Sequence, residues 1–132
     1  MNAFLKDVAG VLEVDSVALD DDFRQTEGWC SLHGFGLLVM LENDWATPLG
    51  VRRFLELKTV RDLYREAFIS FAAQVLGVGR DSLSGETAYG ALAAWDSVAH
   101  LRLVMEAEKR FGVRYELERI PAMLKLDDFL VA

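Results

Sequence analysis

The sequence predicts an all-α chain, and three observations carry that prediction. Apolar residues recur at three- and four-residue spacings along most of the length. The one alternating run, Val113, Tyr115 and Leu117, has no partner strand elsewhere in the chain. The helical pattern also occurs twice: Phe4, Ala9, Val11, Leu12, Val14 and Leu19 recur 64 residues later as Phe68, Ala73, Val75, Leu76, Val78 and Leu83. Beyond a loop the offset becomes 66, with Trp29, Ser31, Leu37 and Glu42 matched by Trp95, Ser97, Leu103 and Glu108. The two-residue shift is expected between positions 19 and 29, where a loop tolerates it. Two copies of one unit follow, residues 1–66 and 67–132.

Composition bounds the function. A chain 52% hydrophobic and 27% charged is globular. Its net charge of −7 argues against nucleic acid, whose phosphates need clustered Lys and Arg. Residues 1–66 carry 12 acids against 7 bases, and residues 67–132 carry 9 against 7, so the first copy is the more acidic. A single cysteine makes no internal disulfide, and neither a basic leader nor an apolar run of membrane-spanning length occurs. The expectation is a cytoplasmic protein with no membrane partner.

Taken in order, Phe4, Leu5, Val8, Val11 and Leu12 predict an amphipathic helix of roughly three turns. Residues 14–30 hold Asp15, Asp20, Asp21, Asp22 and Glu27, a solvated acidic loop pinned by Val14, Leu19, Phe23 and Trp29 that lacks the Gly and terminal Glu of a calcium loop. A second helix runs from Ser31 to about Asp44 and is expected to turn Leu32, Phe35, Leu38, Val39 and Trp45 inward. Gly34 and Gly36 weaken it and allow close approach of a backbone or ligand. A helical turn follows at Arg52 to Leu57, and Thr59 is a good N-cap. From Val60 to Leu76 the apolar stripe is unbroken by Gly or Pro. One continuous helix joining the copies and a break near Arg65-Glu66-Ala67 both fit that stripe, but a flexible linker does not.

In the second copy Gly77 ends the first helix. A turn of helix is expected at Ala88 to Ala93, and Asp96 is a strong N-cap. The helix from Ser97 to about Phe111 is expected to bury Val98, Leu101, Val104 and Phe111. An extended segment then leads to a turn ending before Pro121, and Leu126, Phe129 and Leu130 form a last short helix.

Both copies place a serine just after a tryptophan and in the first turn of a helix, at Ser97 and Ser31. Free backbone N–H groups and the positive end of the helix dipole favour an anionic substituent on such a hydroxyl. Competing chemistries are poorly supported. Ser97 with His100, or Cys30 with His33, forms an i, i+3 pair but has neither a third orienting group in the sequence nor a Gly-x-Ser-x-Gly elbow, so the chain is not expected to be an enzyme. Cys30, His33 and His100 are one ligand short of a structural zinc site, so no metal is expected. Cys30 is expected to be partly buried and inert, although a helix start favours thiolate.

The residues Ser31-Leu32, Phe35, Leu37-Leu38-Val39, Trp45 and Val60-Arg61-Asp62-Leu63 resemble an acyl carrier protein. So do Trp95-Asp96-Ser97-Val98, Leu101, Leu103-Val104-Met105, Glu108, Phe111, Leu126 and Phe129. The separation from serine to last helix is 29 residues in both copies, Ser31 to Val60 and Ser97 to Leu126. The resemblance implies two tandem four-helix bundles in which 4′-phosphopantetheine, delivered from coenzyme A by a phosphopantetheinyl transferase, is attached to Ser97 and secondarily to Ser31. It further implies recognition of the transferase by Asp96 and Val98, with Cys30 and Leu32 in the corresponding places of the first copy. The arm would hold acyl or aminoacyl thioesters, loaded by a ligase or acyltransferase and passed to biosynthetic synthases. Cys30 stands where the pattern has Asp, and a thiol is a poor cap and a poor hard-metal ligand. The alternative is an unmodified helical interaction module, comprising the whole chain or its first copy alone.

Overall fold

Between Thr59 and Gly77 nothing in the sequence interrupts a helix, and none is interrupted. In the computed structural model, which describes residues 2–132, helix Val60–Leu76 is continuous over 17 residues, about 26 Å. Its start is held by a reciprocal cap: the Asp62 N–H donates to the Thr59 hydroxyl at 3.2 Å, and the Thr59 N–H donates to the Asp62 carboxylate at 3.0 Å. Its end is Gly77 in the left-handed conformation, φ 68°. We number the helices α1 (Ala3–Leu12), α2 (Ser31–Asp44), α3 (Val51–Glu56), α4 (Val60–Leu76) and α5 (Ser97–Phe111). Single 3₁₀ turns lie at Phe23–Gln25, Arg80–Ser82, Ile120–Ala122 and Leu126–Phe129. Among the described residues the fold is all-α, with no strand, and no helix is long and apolar enough to cross a membrane.

One core serves the whole chain. α1 packs on α2, α4 and α5, and α4 packs along α5. Phe4 meets Trp45 and Tyr64 at ring separations of 5.2 and 5.3 Å. Phe111, wholly buried at the end of α5, stacks on Trp45 at 5.1 Å and touches Tyr64, Phe68 and Phe71. The C-terminal ends of α2 and α5 are thereby joined, and the Arg110 guanidinium seals the joint. It lies 3.8 Å above the Trp45 ring and donates to the Asp44 carbonyl. Glu66, buried on α4, is held by Arg53 of α3 at 3.2 Å and by Arg80 of the following turn at 3.3 Å.

Loop hydrogen bonds repeat with the sequence. The Phe23 N–H donates to Lys58 O and the Tyr89 N–H to Leu124 O; Val60 to Asp21 and Leu126 to Thr87; Arg61 to Leu19 and Asp127 to Gly85. Each pair is offset by 66 residues, whereas the helix-end bonds Val14 to Ala9 and Val78 to Ala73 are offset by 64. The register change therefore falls before position 19, not after it. The second copy's two additional residues form part of the Arg80–Ser82 turn, and Leu83 corresponds to Val17. Two other expectations change. Ala88 to Ala93 forms successive turns in place of a helix. The turn at Ile120–Ala122 includes Pro121, which is tolerated in a first turn because no N–H is required there.

Two buried phenols make stability fall in alkali. Burial drives the Tyr64 hydroxyl up to about 12, although Asn2 donates a hydrogen bond to it at 3.0 Å. Burial likewise pushes up Tyr115, whose hydroxyl donates to Phe129 O at 2.8 Å. The unfolded chain loses these protons near pH 10 and the folded chain retains them, so full stability below pH 10 declines as pH rises toward 12. Tyr64 alone accounts for about 3 kcal/mol of that decline. Urea melts from pH 8 to 11.5 should show it, with a shallower fall for Tyr64→Phe.

Candidate functional site

The loop before α5 ends at Trp95, which is 1% exposed and wedged against the helix. Its indole N–H donates to His100 Nδ1 at 3.1 Å, and His100 Nε2, which therefore carries the proton, donates to Ile120 O at 2.9 Å. These bonds fix the direction in which α5 emerges. Asp96, extended and exposed, accepts the Ala99 N–H on its carboxylate at 2.9 Å. Ser97 is the first residue of α5 and is exposed, as is Val98 at 69%. The hydroxyl thus stands in water at the positive end of a 15-residue helix.

The side chains around it depart from expectation. Val104 and Phe111 are buried as expected, but Val98 and Leu101 face outward, and Ala99, His100, Leu103 and Ala107 complete the inward face of α5. In α2 likewise Leu32, Phe35 and Val39 are exposed, while Gly34, Leu37, Met40 and Leu41 are buried. The expected inward face therefore holds toward the C-terminal ends, at Trp45, Val104 and Phe111, and is rotated near the serines. Both serines accordingly sit beside an exposed apolar strip.

Beside Ser97 lies an apolar hollow of about 380 Å³ bounded by Tyr89, His100, Leu101, Ile120, Pro121 and Leu124. A second hollow, about 470 Å³, adjoins it through Leu101 and Ile120 and reaches Tyr115 and Leu117. The first copy fills the corresponding space. Gly34 and Phe54 stand 66 residues before His100 and Ile120. The absent side chain at Gly34 admits the Trp29 and Phe54 rings, whose atoms lie 3.5 and 3.6 Å from where a Cβ would be. Arg24 covers the Phe23 and Phe54 rings at 4.6 and 5.1 Å.

At Ser31, also exposed and first in its helix, the cap differs as well. The Cys30 N–H donates to His33 Nδ1 at 3.0 Å, so histidine takes the reaching-back role usually held by Glu or Gln. Cys30 is exposed, contrary to the expectation of partial burial, because the Trp29 ring and not the thiol packs inward. The structure brings Asp96, Ser97 and Val98 together at one helix start and Cys30, Ser31 and Leu32 at another. Because α2 and α5 meet at their C-terminal ends, each start lies a helix length, about 20 Å, from that junction. Tyr89, Ile120 and Leu124 were not legible as site residues; the 66-residue offset marks their positions but not their exposure. None of the described His, Cys, Asp and Glu residues forms a metal-binding group of three or more. No family model, curated protein or solved structure compared with the chain matches it.

Proposed function

We propose that the protein is an acyl carrier built from two tandem four-helix carrier-like units, residues 1–66 and 67–132, that share α4. In this reading Ser97 receives 4′-phosphopantetheine from coenzyme A through a phosphopantetheinyl transferase, with Asp96 and Val98 in the transferase's view. The observation that carries the reading is the exposed Ser97 hydroxyl at the start of α5, behind a capping Asp96 and beside an open apolar hollow. A phosphodiester there gains the helix dipole and the unfilled N–H groups of the first turn. The arm's thiol would hold an acyl or aminoacyl thioester, loaded by a ligase or acyltransferase and delivered to a synthase, and the chain itself catalyses nothing in that cycle. Leu101, Ile120 and Leu124 offer the attached chain an apolar surface.

The first unit favours a second role. With Phe54 and Trp29 filling the equivalent space and Cys30 in place of the acid, Ser31 shares the exposed helix start but lacks the capping carboxylate and the open hollow that support Ser97. We read this unit as one that receives no prosthetic arm and serves stabilisation or docking, with Leu32 and Phe35 turned outward.

Intact-mass measurement after co-expression with a broad-specificity phosphopantetheinyl transferase tests both roles. The expected result is one prosthetic group, retained in Ser31→Ala and lost in Ser97→Ala. No addition to any form, or an addition indifferent to Ser97→Ala, overturns the carrier reading and leaves a helical interaction module.

A further inference from the structure

The thiol of Cys30 is not isolated. Its Sγ lies 3.4 Å from Nδ1 of His33, and the same nitrogen accepts the Cys30 N–H, so it presents a lone pair and the imidazole proton resides on Nε2. The Glu13 carboxylate, 81% exposed just beyond the end of α1, lies 3.4 Å from that Nε2, at ion-pair distance. The imidazole is further held by stacking on Trp29, ring centres 5.9 Å apart, and its side chain is only 15% exposed. A nucleophile, a base whose acceptor nitrogen lies beside it and a carboxylate next to that base therefore meet where the end of α1 faces the start of α2. An independent feature indicates the substrate: Leu32 and Phe35, 73% and 64% exposed, form an uncovered apolar strip on α2 directly after the thiol.

We propose that Cys30 is a base-activated nucleophile that accepts an acyl group from a thioester, making the first unit an acyl-holding site that needs no prosthetic arm. His33 Nδ1 gives up its hydrogen bond from the Cys30 N–H and takes the Cys30 S–H proton on the lone pair so freed, while Sγ attacks the thioester carbonyl carbon. Glu13 balances the imidazolium so formed. The tetrahedral intermediate collapses by breaking the donor's C–S bond. The departing sulfur takes the proton back from Nδ1, leaving a new thioester on Cys30 and a free donor thiol. Bonds and protons balance, and no oxidant, reductant or metal enters. The acyl chain lies along Leu32 and Phe35.

The step does not depend on Ser97, so its test uses the full chain as the Ser97→Ala, Ser31→Ala double variant, which has no attachment hydroxyl. S-acetyl and S-octanoyl N-acetylcysteamine are the probes, with intact mass followed over time and the modified residue located by peptide mass. The expected result is one hydroxylamine-labile acyl group on Cys30, gained faster from the octanoyl donor and absent in Cys30→Ala. His33→Gln separates chemistry from capping, because glutamine retains an acceptor for the Cys30 N–H but does not take the thiol proton. It should acylate at least about tenfold more slowly, with unchanged circular dichroism. Glu13→Gln should slow it about two- to fivefold, and Phe35→Ser should reduce the octanoyl preference. Acylation of His33→Gln less than tenfold slower than the parent, or a parent rate equal to that of an unstructured peptide spanning residues 27–35, overturns the proposal. Either result leaves the Ser97 reading untouched.

Discussion

Phe111→Ala should cost about 3–5 kcal/mol, among the largest losses available to a single substitution in this chain. The residue is 0% exposed and lies where the two halves of the sequence meet: its ring stacks on Trp45, at the end of α2, and touches Tyr64, Phe68 and Phe71 along α4. Truncation removes that contact area and opens a cavity walled by rings, which collapse poorly because each is fixed by neighbours of its own; Trp45, for example, donates its indole N–H to Asp7 at 3.0 Å. Domains of this size have about 5–15 kcal/mol in total, so the variant should be partly unfolded at 37 °C. Urea denaturation followed by tryptophan fluorescence and by circular dichroism should give coincident, lowered midpoints, because Trp45 belongs to one half of the sequence and Phe111 to the other. Leu101→Ala, at 55% exposure, should stay within about 1 kcal/mol of the parent. A Phe111→Ala loss of less than about 1 kcal/mol would mean that the halves do not rely on this contact.

How much of this was legible in the sequence depended on whether local chemistry or packing decided the feature. Helix ends were legible because capping is local: Thr59, Gly77 and Asp96 occupy the roles their side chains dictate. The exposed serines were legible for the same reason. Which face of α2 turns inward was not, because Leu32, Phe35, Leu37, Leu38, Val39, Met40 and Leu41 make the helix apolar nearly all round. Neighbouring helices then decide: Val11 of α1 approaches to 3.0 Å of where a Gly36 Cβ would stand, and that close approach draws the Leu37 face into the core. The hollow beside Ser97 arises from a paired exchange, Gly34 with Phe54 in one copy against His100 with Ile120 in the other, and volumes exchanged across 20 residues leave no periodic signal. The Glu13 to His33 contact was hidden likewise, since those residues are 20 positions apart and meet only through the packing of α1 on α2.

Cutting the chain between Glu66 and Ala67 should abolish cooperative folding of both pieces, although that point divides the two copies of the repeat. The cut falls inside α4, so residues 67–132 would start mid-helix without the Thr59 and Asp62 cap, and residues 1–66 would end in an unfinished one. Phe68 and Phe111 would lose Tyr64 and Trp45, while Phe4 would lose the covering contributed by α5. A 66-residue piece has a core worth at most about 3–5 kcal/mol when well formed, and here the largest rings would face water. Neither piece should show a sigmoidal urea transition, and helix content should fall well below half that of the intact chain. Residues 59–132, which keep all of α4 and its cap, should recover more helix yet remain less stable than the whole, because Trp45 is still missing from Phe111. Native-like helicity with a sharp transition in residues 67–132 alone would show each copy to be self-sufficient. The shared core would then be a contact between finished domains, and the continuous α4 only a rigid connection.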